Sequence, residues 1–330
     1  MPLPMPADAR ILVLQLKRIG DLILTGPALA ALKSGLPDSR VTLLTDRVPG
    51  GLIPGLPVDE GHARGTPGFW AAAFRGNYDA VLDFTGTDRS ALLAAGSRAR
   101  LRATYARFRN RGLRRFLYNR WVESTVRERH TIDHHNDLLE AIGIANVQAG
   151  TGLNIPAGAR TRADSVLSNS GICSPYAIIH PGTARAEKAW PAGHWAHVAR
   201  DLLSRGLAVG VTGSADPAER DQVGEVVGMA PGAVGLAGRL SLLELAAAIA
   251  GARIFCGVDS AAMHLAGAAG TPCVALFGPT NPFHWQPRGT TCRILRSRTS
   301  PPFLPSQKGG PMEEITPQAV LAAVQELLES

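Results

Sequence analysis

Cysteine is scarce in this chain. The four present (Cys173, Cys256, Cys273 and Cys292, in 330 residues) include no CxxC pair. That spacing offers neither a zinc ribbon nor a disulfide framework, and small core residues in a reducing compartment account for them. Aromatic residues make up only 5% of the sequence and charged residues 18%. No apolar run is long enough to span a bilayer, and Met1-Pro2-Leu3-Pro4-Met5-Pro6 has neither region of a signal peptide. A cytosolic protein is expected. Asp-x-Asp and HExxH are both absent, which removes two common ways of holding a catalytic divalent ion. His130, His134 and His135 with Asp133, and His194 with His197, are spaced to share a helix face. Buried or surface histidines explain them better than a metal site. No metal and no other cofactor is expected.

Acidic residues are thin in one region. The formal charge is +7, and between Arg98 and Arg129 eleven arginines are set against only Glu123 and Glu128. Nucleic acid, an anionic membrane face and a phosphorylated substrate are all compatible with that excess, and so is a plain solvated face. The stretch has no recognisable nucleic-acid-binding module, so a nucleic-acid partner is not expected.

What is present is an α/β rhythm at a length suited to two domains. Ile11 to Leu16 is a continuous apolar strand, followed by Lys17-Arg18-Ile19-Gly20-Asp21 and a helix through Pro27 to Leu32. Val41 to Thr45 and Tyr78 to Phe84 read as further strands, Arg114 to Tyr118 as helical, and His130 to Ile142 as an amphipathic helix. Gly150 to Arg160 has linker composition. Strands at 176–180, 207–212 and 234–236 then alternate with helices at 191–204, 216–227 and 241–250. This alternation implies parallel sheets covered on both faces.

One stretch in the second half is rich in chemistry. An apolar strand from Ala252 to Cys256 stops at Gly257. Asp259-Ser260 occupies an N-cap place before a small-residue helix from Ala261 to Ala269, and Cys273 to Phe277 is the next strand. Ligands of such β-α-β units bind beyond the strand carboxyl ends. The N–H groups of Ser260, Ala261 and Ala262 would face an anion there, with His264 one turn further on. The bland alternative is that Asp259-Ser260 only caps the helix and His264 is a core histidine.

The whole stretch resembles the C-terminal signature of the ADP-heptose:lipopolysaccharide heptosyltransferase family (glycosyltransferase family 9). That signature reads roughly D-[ST]-G-x-x-H-x-A-x-x-x-G-T-P, then a strand and F-G-P-T. Ala261 stands where the family usually has glycine. A second resemblance lies in His180-Pro181-Gly182-Thr183 through Lys188-Ala189-Trp190-Pro191, close to the family's H-P-G-x…K-x-W-P. The hydroxyl of Thr183 and the cation of Lys188 suit a diphosphate, and Lys188 as a point charge would stabilise a leaving diphosphate. A third is Gly20-Asp21-Leu22 with Thr25-Gly26-Pro27-Ala28-Leu29.

The resemblance implies an α/β protein of two Rossmann-like domains facing a cleft, the glycosyltransferase type B fold. Residues 1–153 would bind acceptor and 154–316 nucleotide sugar, with a terminal helix over 317–330 packing back on the N-terminal domain. It further implies an inverting, metal-independent glycosyltransferase moving a heptose from ADP-heptose to a phosphorylated lipopolysaccharide core. Asp21 would be the general base and Lys188 the catalytic cation. Thr183, Lys188, Glu219, Asp259, Ser260, Ala261 and His264 would form the donor site, with Glu219 on the ribose. Lys17, Arg18, Arg111, Arg114 and Arg115 would meet acceptor phosphates or an anionic membrane. A cytoplasmic monomer, peripheral at the inner face of the inner membrane, is expected. The rivals are the same fold with another nucleotide sugar, and a non-catalytic nucleotide- or nucleic-acid-binding protein.

Overall fold

The computed structural model describes residues 5–74, 77–145 and 150–329. The chain forms two compact units, residues 1–154 and 155–330, and each is built on one parallel six-stranded sheet.

In the first unit, strand β1 (Arg10–Gln15) leads into helix α1 (Ile19–Gly35), followed by β2 (Arg40–Thr45), β3 (Glu60–Ala63) and α2 (Pro67–Phe74). Then come β4 (Ala80–Asp83), α3 (Asp88–Gly96), β5 (Leu101–Tyr105), α4 (Arg114–Leu117), β6 (Arg120–Val122) and α5 (Thr131–Asp137). The sheet order is β3-β2-β1-β4-β5-β6, parallel throughout. That is the doubly wound order in which the chain returns to the middle, leaving a crevice where β1 and β4 diverge. β1 is buried from Ile11 onward, as a central strand covered on both faces must be. Leu12 and Leu14 point to the side of α2 and α3, in a core with Phe69, Ala72, Ala73, Ala91 and Leu93.

The second unit repeats the plan. It runs α6 (Ala157–Asn169), β7 (Tyr176–His180), α7 (Ala192–Ser204), β8 (Ala208–Val211), α8 (Pro217–Met229) and β9 (Val234–Gly235). It continues with α9 (Leu242–Ala250), β10 (Ile254–Val258), α10 (Ala261–Ala269), β11 (Cys273–Phe277), α11 (Pro282–Trp285), β12 (Cys292–Arg296) and α12 (Pro317–Glu329). The order is β12-β11-β10-β7-β8-β9, so the divergence falls between β7 and β10.

Helix boundaries follow from end chemistry. Ser241 caps α9 in a full capping box with Glu244, and Asp216 caps α8 through Ala218 N–H with Pro217 just inside. Pro191 is the residue before α7 rather than its first. Gly270, at φ +77°, ends α10 in the left-handed conformation that glycine alone adopts freely.

The terminal helix carries an apolar stripe that packs within the second unit. Val320, Ala323, Val324 and Leu327 join the second unit's own core with Trp195, Val198, Leu202, Val274 and Leu276. The apolar stripe of α12 completes a layer over β10, β11 and α7 that would otherwise be open to water. The linker composition of 150–160 conceals the start of α6, whose buried face is reduced to Ala163 and Leu167. The arginine-rich stretch holds two strands besides its short helix. β5 and β6 escape a hydropathy reading because each is short and Arg102 and Arg120 interrupt its apolar run.

Candidate active site

In the second unit, the loops leaving β7 and β10 face one another across the divergence of the sheet. Lys188, in a single 3₁₀ turn after β7, reaches the residue that follows β10. Its Nζ donates to Asp259 Oδ2 at 2.6 Å and to the Asp259 backbone carbonyl at 3.3 Å. The lysine side chain is 14% exposed and the aspartate 7%. Breaking so shielded a pair from one side costs about 3–5 kcal/mol, because the remaining charge stays buried alone. The pair is thus a rigid tie with its cation at the mouth of the crevice.

Asp259 is therefore not a helix cap. Ser260 holds the N-cap position of α10 with extended backbone, yet its hydroxyl makes no capping bond and is buried without a hydrogen-bond partner. His264 is buried, and its Nδ1 also lacks a partner. Burial pulls the His264 pKa down to about 4, with the Asp259 carboxylate opposing and the Lys188 ammonium assisting. The hydroxyl and the imidazole both keep unused hydrogen-bonding capacity in the first turn and a half of α10. Ala261, the first residue of α10, is half-buried beside them.

The floor of this site is set by His180, the last residue of β7. Thr212 Oγ1 donates to Ile179 O at 3.2 Å and so accepts from His180 Nδ1 at 2.9 Å, which leaves Nε2 as the free lone pair. Burial lowers the His180 pKa to about 4, against the opposing charge of Glu219. Glu219 Oε2 accepts from Ser214 N at 2.6 Å. A Cβ on Gly182 would lie 2.5 Å from Glu219 Oε2 and 3.2 Å from His180 Nε2, so any larger residue here requires that carboxylate to shift. Thr183, half-buried, accepts from Arg185 N at 3.4 Å. The structure thus brings Lys188, Asp259, Ser260, Ala261 and His264 together, and places Glu219 against Gly182 and His180.

The first unit has its own cluster beyond β1 and β4. Asp21 is the third residue of α1, whose N-cap is Arg18. Burial raises the Asp21 pKa, while the Lys17 ammonium and the backbone N–H groups of Arg18 and Asp21 oppose that rise. Lys17 Nζ is 4.0 Å from Asp21 Oδ1, and burial pulls the Lys17 pKa down against that carboxylate. Asp83, at the end of β4, is fully buried and occupied. It accepts from Thr85 N at 2.7 Å and Gly86 N at 3.2 Å, and from the Tyr118 hydroxyl. Asp83 is therefore a loop anchor, its oxygens taken up by Thr85, Gly86 and Tyr118.

Sequence reasoning did not single out Tyr105, and it weighed Arg107 only as a cation toward acceptor phosphates or a membrane and His134 only as a metal ligand. Arg107 lies over the rings of Tyr105 and Phe108, at 5.4 and 4.6 Å. His134 stacks on Tyr105 at 3.9 Å. Ser124 donates to Asp137 Oδ2 and accepts from His134 Nδ1, each at 2.6 Å, so His134 Nε2 is a lone pair, buried and unpaired. No motif announces these three, because they come from separate elements. Of the arginines expected at the acceptor, Arg114 is tied to Asp88 at 2.9 Å and Arg115 lies 4.4 Å above Phe116, while Arg18 is exposed at the N-cap of α1 near Asp21 and Arg111 is exposed just before α4. Among the described residues, no group of three His, Cys, Asp or Glu side chains is placed to hold a metal ion.

The model of glycosyltransferase family 9 (heptosyltransferase) matches residues 69–310. The chain belongs to this family. As a family 9 glycosyltransferase, it is 26% identical over 286 residues to lipopolysaccharide heptosyltransferase 3 of Escherichia coli, covering 81% of this chain and 83% of that one. Among solved structures, a glycosyl transferase family 9 protein of Veillonella parvula superposes with TM-score 0.83 at 25% identity, covering 99% of both chains. The E. coli ADP-heptose lps heptosyltransferase II superposes with TM-score 0.81 at 22% identity, covering 97% of this chain and 98% of that chain. The two sheets are thus those of the type B glycosyltransferase fold.

Proposed function

We propose that this glycosyltransferase moves a heptose from ADP-heptose to a lipopolysaccharide core acceptor, with inversion and without a metal ion. The observation that carries the reading is the Lys188–Asp259 tie at the divergence of the second sheet, with Ser260 and His264 unpaired beside it. The nucleotide diphosphate would lie across the N-terminus of α10, its ribose on Glu219 and its phosphates on Lys188, Thr183, Ser260, Ala261 and His264. The names of the relatives supply the sugar and the acceptor.

The chemistry is a single displacement. An acceptor hydroxyl attacks the anomeric carbon, the carbon–oxygen bond to ADP breaks, and the hydroxyl proton passes to Asp21. A positioned base of this kind contributes about 10²–10⁴ in rate. Charge growing on the leaving phosphate is met by Lys188 and the helix N–H groups, which are fixed before the reaction and need no reorganisation. One displacement inverts the anomeric centre. The first unit binds the acceptor, with Lys17 and Arg18 on its phosphates and Arg111, Arg114 and Arg115 toward those phosphates or the anionic membrane that carries it. The enzyme acts as a peripheral monomer at the cytoplasmic face of the inner membrane.

Thermal-shift titration with ADP-, UDP-, GDP- and CMP-sugars tests the donor. Stabilisation by ADP-heptose above the others is expected, and stronger stabilisation by a UDP- or GDP-sugar would move the enzyme to another nucleotide sugar.

A further inference from the structure

The face of the first unit formed by α2, α3 and α4 holds large apolar side chains in water. Trp70 and Phe74 of α2 are each 53% exposed, Leu92 of α3 57%, Leu113 60% and Phe116 67%. Single exposed apolar residues are ordinary, but these form one band. Asp88, Leu92 and Gly96 follow one another at four-residue steps along α3 and share a stripe. At one end of the stripe, Asp88 Oδ1 accepts from Arg114 Nε at 2.9 Å, which ties α4 alongside. At the other end, a Cβ on Gly96 would lie 2.2 Å from Phe74 Cε1, so the Phe74 ring rests on the backbone of α3. Trp70 stacks on Phe74 with ring centroids 6.1 Å apart and planes 6° from parallel. Leu92 thus lies between the Leu113–Phe116 pair and the two aromatic rings.

The charge around this band has one sign. From Phe84 to Val122 the sequence has ten arginines, and after Asp83 its only acid is Asp88, which Arg114 already neutralises. Arg111 and Arg115 are exposed on either side of Leu113. A soluble phosphate ligand would engage the arginines and leave the apolar band without purpose. A surface that is anionic outside and apolar just beneath satisfies both, and that surface is a phospholipid bilayer. Apolar side chains enter the boundary between headgroups and acyl chains, while guanidinium groups stay with the phosphates.

We infer that this face of the first unit seats on an anionic bilayer, with Trp70, Phe74, Leu92, Leu113 and Phe116 inserted and Arg111 and Arg115 at the headgroups. The inference rests on the reading of the acceptor as a lipid-borne saccharide, and it adds an inserted apolar surface to simple charge attraction. The two contributions differ in their response to salt. Attraction between exposed charges fades beyond a Debye length, about 10 Å at 0.1 M salt, whereas apolar insertion persists.

Co-sedimentation of the full chain with phosphatidylethanolamine–phosphatidylglycerol vesicles, and with phosphatidylcholine vesicles alone, tests it at low and moderate salt. ADP calorimetry and gel filtration are run on the same preparations. The wild type should bind the anionic vesicles and retain part of that binding at moderate salt. Leu113→Ser with Phe116→Ser should lower partitioning by about tenfold or more and remove the salt-resistant part, while Phe116→Trp keeps it. Arg111→Gln with Arg115→Gln should remove the salt-sensitive part. All four preparations should bind ADP alike. If the double serine variant and a Trp70→Ser, Leu92→Ser variant both sediment like the wild type, the inference fails. It also fails if gel filtration shows a dimer that these variants dissolve, because the face is then an interface between two copies. ADP binding without vesicle binding overturns this inference alone; vesicle binding without ADP binding overturns the proposed function and leaves the bilayer face standing.

Discussion

Lys188 and Asp259 stand 71 residues apart in sequence and meet at 2.6 Å, joining the loop after β7 to the end of β10. The pair supplies a cation at the head of the crevice and orients it before any ligand arrives. Ser260 and His264, one and five residues beyond Asp259, remain unpaired, so the ion pair does not consume the anion-binding capacity of α10. In the proposed function, the donor's diphosphate would share the lysine's charge and meet both free groups.

Replacing Lys188 with Ala, or His264 with Ala, should weaken ADP binding about tenfold or more while adenosine binding changes by less than about threefold, since a charge-assisted contact to phosphate is lost in each case. Isothermal titration with both ligands reads the difference. Equal losses for ADP and adenosine would take both residues off the phosphates.

Asp21→Asn keeps the shape of the side chain and removes its basicity. Turnover should fall by about 10² or more with ADP affinity nearly unchanged. Because burial raises the Asp21 pKa, the wild-type rate should climb with pH through a value above the ordinary carboxylate range and then level off. A rate within about threefold of wild type would leave Asp21 as a helix-end residue only.

Gly182→Ala is a narrow probe of the ribose side. The added methyl falls 2.5 Å from Glu219 Oε2, and that carboxylate can swing aside, so folding stability should drop by less than about 1 kcal/mol. Nucleotide affinity should fall about threefold to tenfold, on the scale of one lost hydrogen bond. Unchanged affinity for ADP would show that Glu219 does not hold the ribose.

Stability should decline in mild acid. His180 and His264 titrate near 4 in the folded chain and His134 near 3, against an ordinary value of 6.5, with burial the main cause each time. The folded state excludes protons that the unfolded chain takes up below about 6.5. The stabilisation is therefore complete above that pH and is lost as pH falls toward 4 and below. Each histidine contributes a slope of about 1.4 kcal/mol per pH unit in that window. Urea unfolding at a series of pH values should show His264→Asn flattening the slope by about one proton. A slope identical to wild type would mean His264 is solvated in the folded state.

The backbone crossing at Gly26 offers a test of the first unit's packing. A Cβ there would sit 2.7 Å from Thr151 O, and Gly152, at φ +72°, lies against Gly26 in turn. Gly26→Ala should cost about 1–3 kcal/mol, because backbone atoms must move apart. A melting temperature equal to wild type would place the 150–152 segment elsewhere in solution.

By itself, the sequence determined what local chemistry decides. Continuous apolar runs marked β1, β2, β7 and β11 almost to the residue, and small residues bounded by Ser260 and Gly270 marked α10, because burial on both faces and end-capping leave direct traces in composition. The motifs around Asp21, Lys188, Asp259 and His264 were legible through their resemblance to family 9, since composition alone left a helix cap and a core histidine open. Tertiary structure alone decided which of these motifs meet. Nothing local links Lys188 to Asp259; the return of the chain from β9 to β10 beside β7 does. The same holds for His134 on Tyr105, for the strands hidden among arginines, and for α12. That helix carries an apolar stripe that any open layer could accept, and the layer it completes is the one over β10 and β11 in its own unit.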